Sequence, residues 1–283
     1  MNSAVHGNKQ IFISDIHMGD ERSMNPSGQH PHPYCWLQSN IANLAKFLKE
    51  KSLAQDVGRV AILGDLFDQW VIPTDLDPLT KLDAIRNNPA NGGIIQNLKE
   101  LADSRKLVYV PGNHDMSASP KDIPDTKAFI NATFPGIDFI CEDERPFGVY
   151  RPDKLKLAAE HGNMYCLFNA PDAWTDPHSC LPLGYFISRL VAYKVSHTGR
   201  PENYLDILRR FIDEFKLRDD FIYDLLIAVA EDAGLDESAE LKMADISGFP
   251  PAIRIDEVAS VVSHKRLELC LFVLRERGNV QPG

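Results

Sequence analysis

The stretch Val60-Ala61-Ile62-Leu63-Gly64-Asp65-Leu66-Phe67-Asp68 decides the fold. Four apolar residues in a row, closed by Gly-Asp, read as a strand buried on both faces that ends in a tight turn. Three other segments follow the same pattern. Lys9-Gln10-Ile11-Phe12-Ile13-Ser14 runs into Asp15-Ile16-His17, and Leu107-Val108-Tyr109-Val110 runs into Pro111-Gly112-Asn113-His114-Asp115. Leu155-Lys156-Leu157-Ala158-Ala159 runs into Glu160-His161-Gly162. Helical patterns lie between them. Leu37 to Lys51 carries Leu37, Ile41, Leu44 and Leu48 on one stripe, and a second helix ends near Leu101. Strands alternating with helices predict a wound α/β core. Ligands in open α/β sheets bind beyond the carboxyl ends of the strands. The four motifs are therefore expected to converge.

The residue types at those ends suit metal ions. Asp15 and His17 are two apart, so an extended segment would point both side chains to one side. Asp65 has two carboxylate oxygens and can bridge two cations. Asn113 offers an amide oxygen and His161 an imidazole nitrogen. This oxygen and nitrogen set suits Mn, Fe or Zn rather than a thiolate-seeking ion. Two cations about 3.5–4 Å apart can clamp a phosphoryl group and activate a water. His114 follows Asn113 directly and is better placed as a proton donor to a leaving oxygen than as a ligand of the same ion. Asp115 is expected to hydrogen-bond the His114 ring and hold it. Asp68 either supports this cluster or closes the turn after Leu66-Phe67. Gly64 and Gly112 permit close backbone approach.

Asp15-Ile16-His17, Gly64-Asp65-Leu66-Phe67-Asp68, Gly112-Asn113-His114-Asp115 and the later His161, in this order, resemble the calcineurin-like metallophosphoesterases. The resemblance covers roughly residues 9–165. It implies an α/β fold, a metallophosphoesterase β-sandwich flanked by helices. It implies Asp15, His17 and Asp65 on one metal, and Asp65, Asn113 and His161 on a second. It further implies His114 as general acid and two divalent ions, Mn foremost, with Fe or Zn as alternatives. Gly64 to Trp70 followed by a distal His-Gly also resembles the UDP-2,3-diacylglucosamine pyrophosphatases, which cleave a nucleotide-lipid pyrophosphate and carry a helical insertion after that motif. The chain departs from them at His114, where many have Arg, and at Asn163, where Asp often follows.

The family's final Gly-His-x-His does not occur after His161. His178, His197 and His264 are the remaining histidines. Two explanations stay open: truncation, with the last strands and ligands missing, or replacement by one of these histidines or by a partner chain. Sheet edges left uncovered would favour self-association as a homo-oligomer.

Composition narrows the partners. The net charge of −10 disfavours generic attraction to nucleic acid. Cys35, Cys141, Cys166, Cys180 and Cys270 show no paired metal-site spacing and read as reduced thiols of a cytoplasmic protein. The N-terminus lacks an apolar export core, and no segment approaches membrane-spanning length. The expected partner is a phosphoester, in the finer resemblance a nucleotide or nucleotide-lipid, with peripheral membrane contact left open.

The expected organisation is a metallophosphoesterase core over 1–172 and a helical cap or insertion over 173–283. Helices are predicted at Leu183–Val195, around Tyr204 to Phe215, at Phe221–Ala233 and at Ile255–Arg277. Residues 20–35, rich in Pro, Gly, Asn and His, read as a loop beside the first motif; His30 and His32 are expected to face solvent, with adventitious metal binding as the alternative. Trp70 and Trp174 are candidates for stacking on substrate, with packing as the more usual role.

Overall fold

The computed structural model describes residues 7–25, 27–79, 81–115, 123–141, 148–153, 155–166, 168–170, 181–200, 221–244, 246 and 249–260. Its central feature is a parallel sheet in the order β1-β2-β3-β4, formed by β1 (Lys9–Ile13), β2 (Val57–Leu63), β3 (Leu107–Val110) and β4 (Asp138–Phe139). Parallel neighbours need crossover connections, and helices supply them. The chain passes through α1 (Ile41–Leu53) before β2, α2 (Gly92–Asp103) before β3 and α3 (Ile123–Thr133) before β4.

The continuous apolar runs have a simple cause. Val60, Ile62, Leu107 and Tyr109 face one core with Leu48 of α1, Leu98 and Leu101 of α2 and Phe134. Ala61, Val108 and Val110 face the other side, where Tyr150 covers them. With both faces of β2 and β3 buried, no position is left for a polar residue to alternate. The α1 stripe also packs as its spacing predicts. Leu48 is buried, and Ile41 and Leu44 pack against the same core. The helix begins later than expected, because Gln38–Asn40 forms a 3-10 turn ahead of Ile41.

The segment 155–159 departs from expectation. It is not a strand of this sheet; among the described residues its ladder contact is an isolated antiparallel bridge between Tyr150 and Ala159. Leu155 and Leu157 are 45% and 41% exposed. Without an apolar layer over these leucines, burial does not hold the segment straight. Among the described residues the remaining strands are an antiparallel pair, β5 (Glu240–Lys242) and β6 (Ala252–Arg254). A second layer of a sandwich is not seen among those residues.

The chain divides into two compact units that are interleaved in sequence. One comprises Met1–Pro26, Cys35–Gln69 and Leu79–Asn163, and holds the parallel sheet. The other comprises Ser27–Tyr34, Trp70–Pro78 and Met164–Gly283. It contains α4 (Leu183–Thr198), α5 (Phe221–Asp232), β5 and β6. Leu183, Tyr185, Phe186, Ile187 and Leu190 of α4 are buried. Trp70 is buried too and meets Tyr185 edge-on, with ring centroids 5.9 Å apart, so its role is packing.

Arg189 organises this second unit. It is fully buried, and its guanidinium donates to the carbonyls of Ile72 (3.2 Å), Pro73 (3.0 Å), Leu76 (2.6 Å) and Lys242. Five donors in a fixed fork suit this task better than the compact ammonium of lysine.

Residues 255–260 are helical. The rest of the predicted 255–277 helix, the 204–215 face, Trp174, His178 and His264 lie outside the described residues. Among those described, no helix is long and apolar enough to cross a membrane.

Candidate metal centre

The turns after β1, β2 and β3 meet at the carboxyl end of the sheet. Asp15 donates its backbone N–H to the Gly64 carbonyl (3.3 Å), His17 to that of Asp65 (2.7 Å) and Met18 to that of Leu66 (3.0 Å). Asp68 returns an N–H to Met18 (2.9 Å), and Gln69 donates to the His114 carbonyl (3.1 Å). These bonds, together with that from the His161 ring to the Leu63 carbonyl, bring together Asp15, His17, Asp65, Asn113, His114, Asp115 and His161, all seven of the predicted site residues.

The backbone at the first motif is not extended. Asp15, His17 and Asp65 have φ of 56°, 53° and 54°, in the left-handed region that non-glycine residues seldom occupy. Such conformations cost free energy and cluster at functional sites. Asp15 and His17 still approach each other, with Oδ1 3.9 Å from Nε2. Their proximity comes from tight turns and not from the alternation of a strand.

Asp65 sits at the centre. One of its carboxylate oxygens, Oδ1, accepts the His114 backbone N–H at 2.9 Å. The other, Oδ2, lies 3.6 Å from His17 Nε2 and 3.2 Å from His161 Nε2. His161 Nε2 is also 2.9 Å from Asn113 Oδ1, while its Nδ1 donates to the Leu63 carbonyl at 2.8 Å. That second bond fixes the ring and directs Nε2 at the cluster. Two glycines make room for it. A Cβ on Gly64, where φ is 81°, would lie 2.4 Å from the His161 ring, and one on Gly112 would lie 2.2 Å from Asp65 Oδ1.

Two carboxylates divide the supporting work differently from the sequence expectation. Asp115 turns both oxygens to the backbone, accepting N–H groups from Asp65 (2.6 Å), Phe67 (2.6 Å) and Gly112 (2.8 Å). It therefore ties the second turn to the third. The Nδ1 of His114 instead meets Asp68 Oδ1 at 2.9 Å, and Asp68 Oδ2 meets His17 Nδ1 at 3.0 Å. The two histidine rings stand edge to face, 4.5 Å apart. Asp68 is thus a member of the site, and its place two residues after Leu66 was the available signal. His114 also offers a ring nitrogen within 4.8 Å of ligand atoms of His17 and Asp65, closer than its position next to Asn113 suggested.

The electrostatics are those of a pocket with too much negative charge. Hydrogen bonding to His17, against the opposing effect of burial, holds the Asp15 carboxyl down to about 2. Burial disfavours charge on His17, but Asp15 and Asp68 outweigh it and raise its pKa to about 11. Burial is likewise overcome at His161, where Asp65 raises the pKa to about 9. At Asp115, burial and the neighbouring Asp65 push the carboxyl up to about 6. Protonated imidazoles balance the carboxylates here, and a bound cation would do so more strongly.

A family model described as calcineurin-like phosphoesterase matches residues 9–224. The chain belongs to this family. The match runs past residue 172, through α4 and into α5. Searches of curated proteins and of solved structures returned no match. Membership in the calcineurin-like phosphoesterases implies metal-dependent hydrolysis of a phosphoester. The donor chemistry fits that assignment: carboxylates, an amide oxygen and imidazole nitrogens converge, and among the described residues no thiol joins them.

Proposed function

We propose that this calcineurin-like phosphoesterase works with two divalent cations, held by Asp15, His17 and Asp65 on one side and by Asp65, Asn113 and His161 on the other. The observation that carries the reading is Asp65 Oδ2, set between the Nε2 atoms of His17 and His161. A carboxylate so placed can serve both ions. When bound, the pair supplies Lewis acidity to the phosphoryl oxygens and a water nucleophile of lowered pKa. Mn is the first choice, with Fe and Zn as alternatives.

The chain's own residues handle position and protons. Asp68 accepts from Nδ1 of His114 and so places the ring's transferable proton at Nε2, where His114 acts as general acid toward the leaving oxygen. Asp68 also fixes the His17 ring. Asp115 acts through the backbone, as a positioning residue that keeps Asp65 and Asn113 in one frame. The resemblance of Gly64–Trp70 to the UDP-2,3-diacylglucosamine pyrophosphatases makes a nucleotide-lipid pyrophosphate one substrate to assay. The buried apolar residues of α4 argue against a lipid-facing surface on that helix.

Hydrolysis of bis-p-nitrophenyl phosphate tests the reading. It is expected to require Mn²⁺, to vanish in Asp65→Asn and to fall in His114→Gln without loss of metal. The absence of Gly-His-x-His after His161 favours a second reading, a relative that retains metal but serves as a scaffold. Metal uptake without turnover on any phosphomonoester, phosphodiester or pyrophosphate would support that reading.

A further inference from the structure

The second unit contains its own cluster of donor atoms. His30, Asp75 and His197 come from three segments far apart in sequence, yet each offers a ligand atom within 4.8 Å of the other two. His30 Nε2 lies 3.4 Å from Asp75 Oδ2. That is long for a hydrogen bond, but it is close to the separation of about 3.3 Å between two ligands of a tetrahedral ion with bonds of about 2.0–2.1 Å. The His30 and His197 rings meet edge-on, with centroids 4.9 Å apart. His30 was expected to face solvent, but its side chain is only 13% exposed.

Both rings are held by their other nitrogen. His197 Nδ1 lies 2.8 Å from the Tyr193 carbonyl, which can only accept, so this nitrogen carries the proton. The Ser196 hydroxyl lies 2.8 Å from the same carbonyl, 2.9 Å from His30 Nδ1 and 3.1 Å from His197 Nδ1, so with its one proton given to the carbonyl it accepts from the rings. In that arrangement each imidazole has its proton on Nδ1 and its lone pair on Nε2. Metal-bound histidines are oriented in this way. The Tyr193 ring lies 4.1 Å from that of His197 and limits its rotation. Asp75 is half satisfied: Oδ2 faces His30, while Oδ1 is covered from solvent and accepts no hydrogen bond among the described residues. A covered carboxylate oxygen without a donor is a group awaiting a partner. Burial lowers the His30 pKa against the pull of Asp75, and His197 adds to the lowering.

We infer that His30, Asp75 and His197 bind a divalent transition-metal ion of the zinc class, independently of the Asp65 centre. Two imidazoles and a carboxylate are a common zinc donor set, with water completing the tetrahedron. The ion would join the 27–34 loop, the 70–78 segment and the last turn of α4. Arg189 already holds the 70–78 segment through its carbonyls. The site goes beyond the phosphoesterase reading and does not rest on it.

Calorimetric titration of the full chain with Zn²⁺ tests the inference, using Asp75→Asn, His197→Gln and their combination. Asp75→Asn keeps the side chain's shape, and circular dichroism checks each variant's fold. The wild type is expected to take up one ion more than either single variant, and the double variant to lose no more than a single one. His161→Ala is expected to lose ions that Asp75→Asn retains, so the two losses add. Zinc should raise the unfolding temperature of the wild type more than that of Asp75→Asn. If His197→Gln misfolds, Asp75→Asn alone decides. Equal stoichiometry and affinity in the wild type and Asp75→Asn would overturn the inference, as would zinc uptake at this site only in the millimolar range. A His161→Ala variant that lost no ion would contradict the Asp65-centred reading and leave this one standing.

Discussion

Asp68 Oδ1 lies 2.9 Å from the Nδ1 of His114, and the carboxylate is almost wholly buried. Burial opposes its charge, yet the adjacent His114 and then His17 hold the Asp68 carboxyl well below the usual carboxylate range. The pairing turns a residue that could have been an ordinary turn-closing aspartate into the group that orients the proposed acid. Asp68→Ala is expected to lower kcat by about 10²–10⁴-fold, the usual contribution of a positioned acid. Because Asp68 also holds His17, metal affinity should fall by about 10–100-fold. Steady-state kinetics at saturating Mn²⁺ separates the two effects. An unchanged kcat there would remove Asp68 from the mechanism.

Gly64 is irreplaceable on two counts, its φ of 81° and the His161 ring 2.4 Å from where a Cβ would stand. Gly64→Ala should destabilise the fold by roughly 1–3 kcal/mol and push His161 away from Asp65. Urea unfolding and Mn²⁺ titration check both effects. A variant of native stability and native metal affinity would contradict the packing described.

The raised pKa values of His17 and His161 set a pH dependence. In the chelator-treated protein both imidazoles bind protons more tightly folded than unfolded, where the ordinary value is about 6.5. Their contribution to stability is full below that value. It is lost as pH rises through about 9 for His161 and about 11 for His17. Metal must displace these protons, so binding at about pH 8 should release on the order of two protons per chain. Calorimetry in buffers of different ionisation enthalpy counts them. Uptake without proton release would mean that these imidazoles are not ligands.

Arg189 bonds to carbonyls on two separate stretches of the second unit; the Pro73 carbonyl keeps the Leu76 N–H, but Arg189→Met removes the donor that the Ile72 and Leu76 carbonyls have here. Each unsatisfied group costs about 1–3 kcal/mol, and the variant should lose roughly 3 kcal/mol or more. Chemical denaturation measures the loss. A change within about 0.5 kcal/mol would show that the clamp contributes little.

Much of this was legible in the sequence, because burial on both faces of β2 and β3 leaves continuous apolar runs that are easy to read. Leu107–Val110 is recovered residue for residue, and the ligand motifs fall where those strands end. Leu155–Ala159 looked alike but is only bridged at Ala159, since an apolar run says nothing about whether a layer exists to cover it. For a similar reason Asp115 faces backbone N–H groups and not the His114 ring, which Asp68 supports as one of its two readings had it. Both stand close in sequence to a site residue, but the direction of each carboxylate is set by turns at positive φ that spacing does not encode. The grouping of His30, Asp75 and His197 could not be read at all, since it depends on three segments meeting in space.

In the proposed reading Asp65 would serve as a ligand of both cations. Crystals grown with Mn²⁺ and measured at the manganese absorption edge test it most directly. Two anomalous peaks about 3.5–4 Å apart are expected, one on either side of the Asp65 carboxylate, with His17 and His161 on opposite ions. A single peak at Asp65, or none, would contradict it.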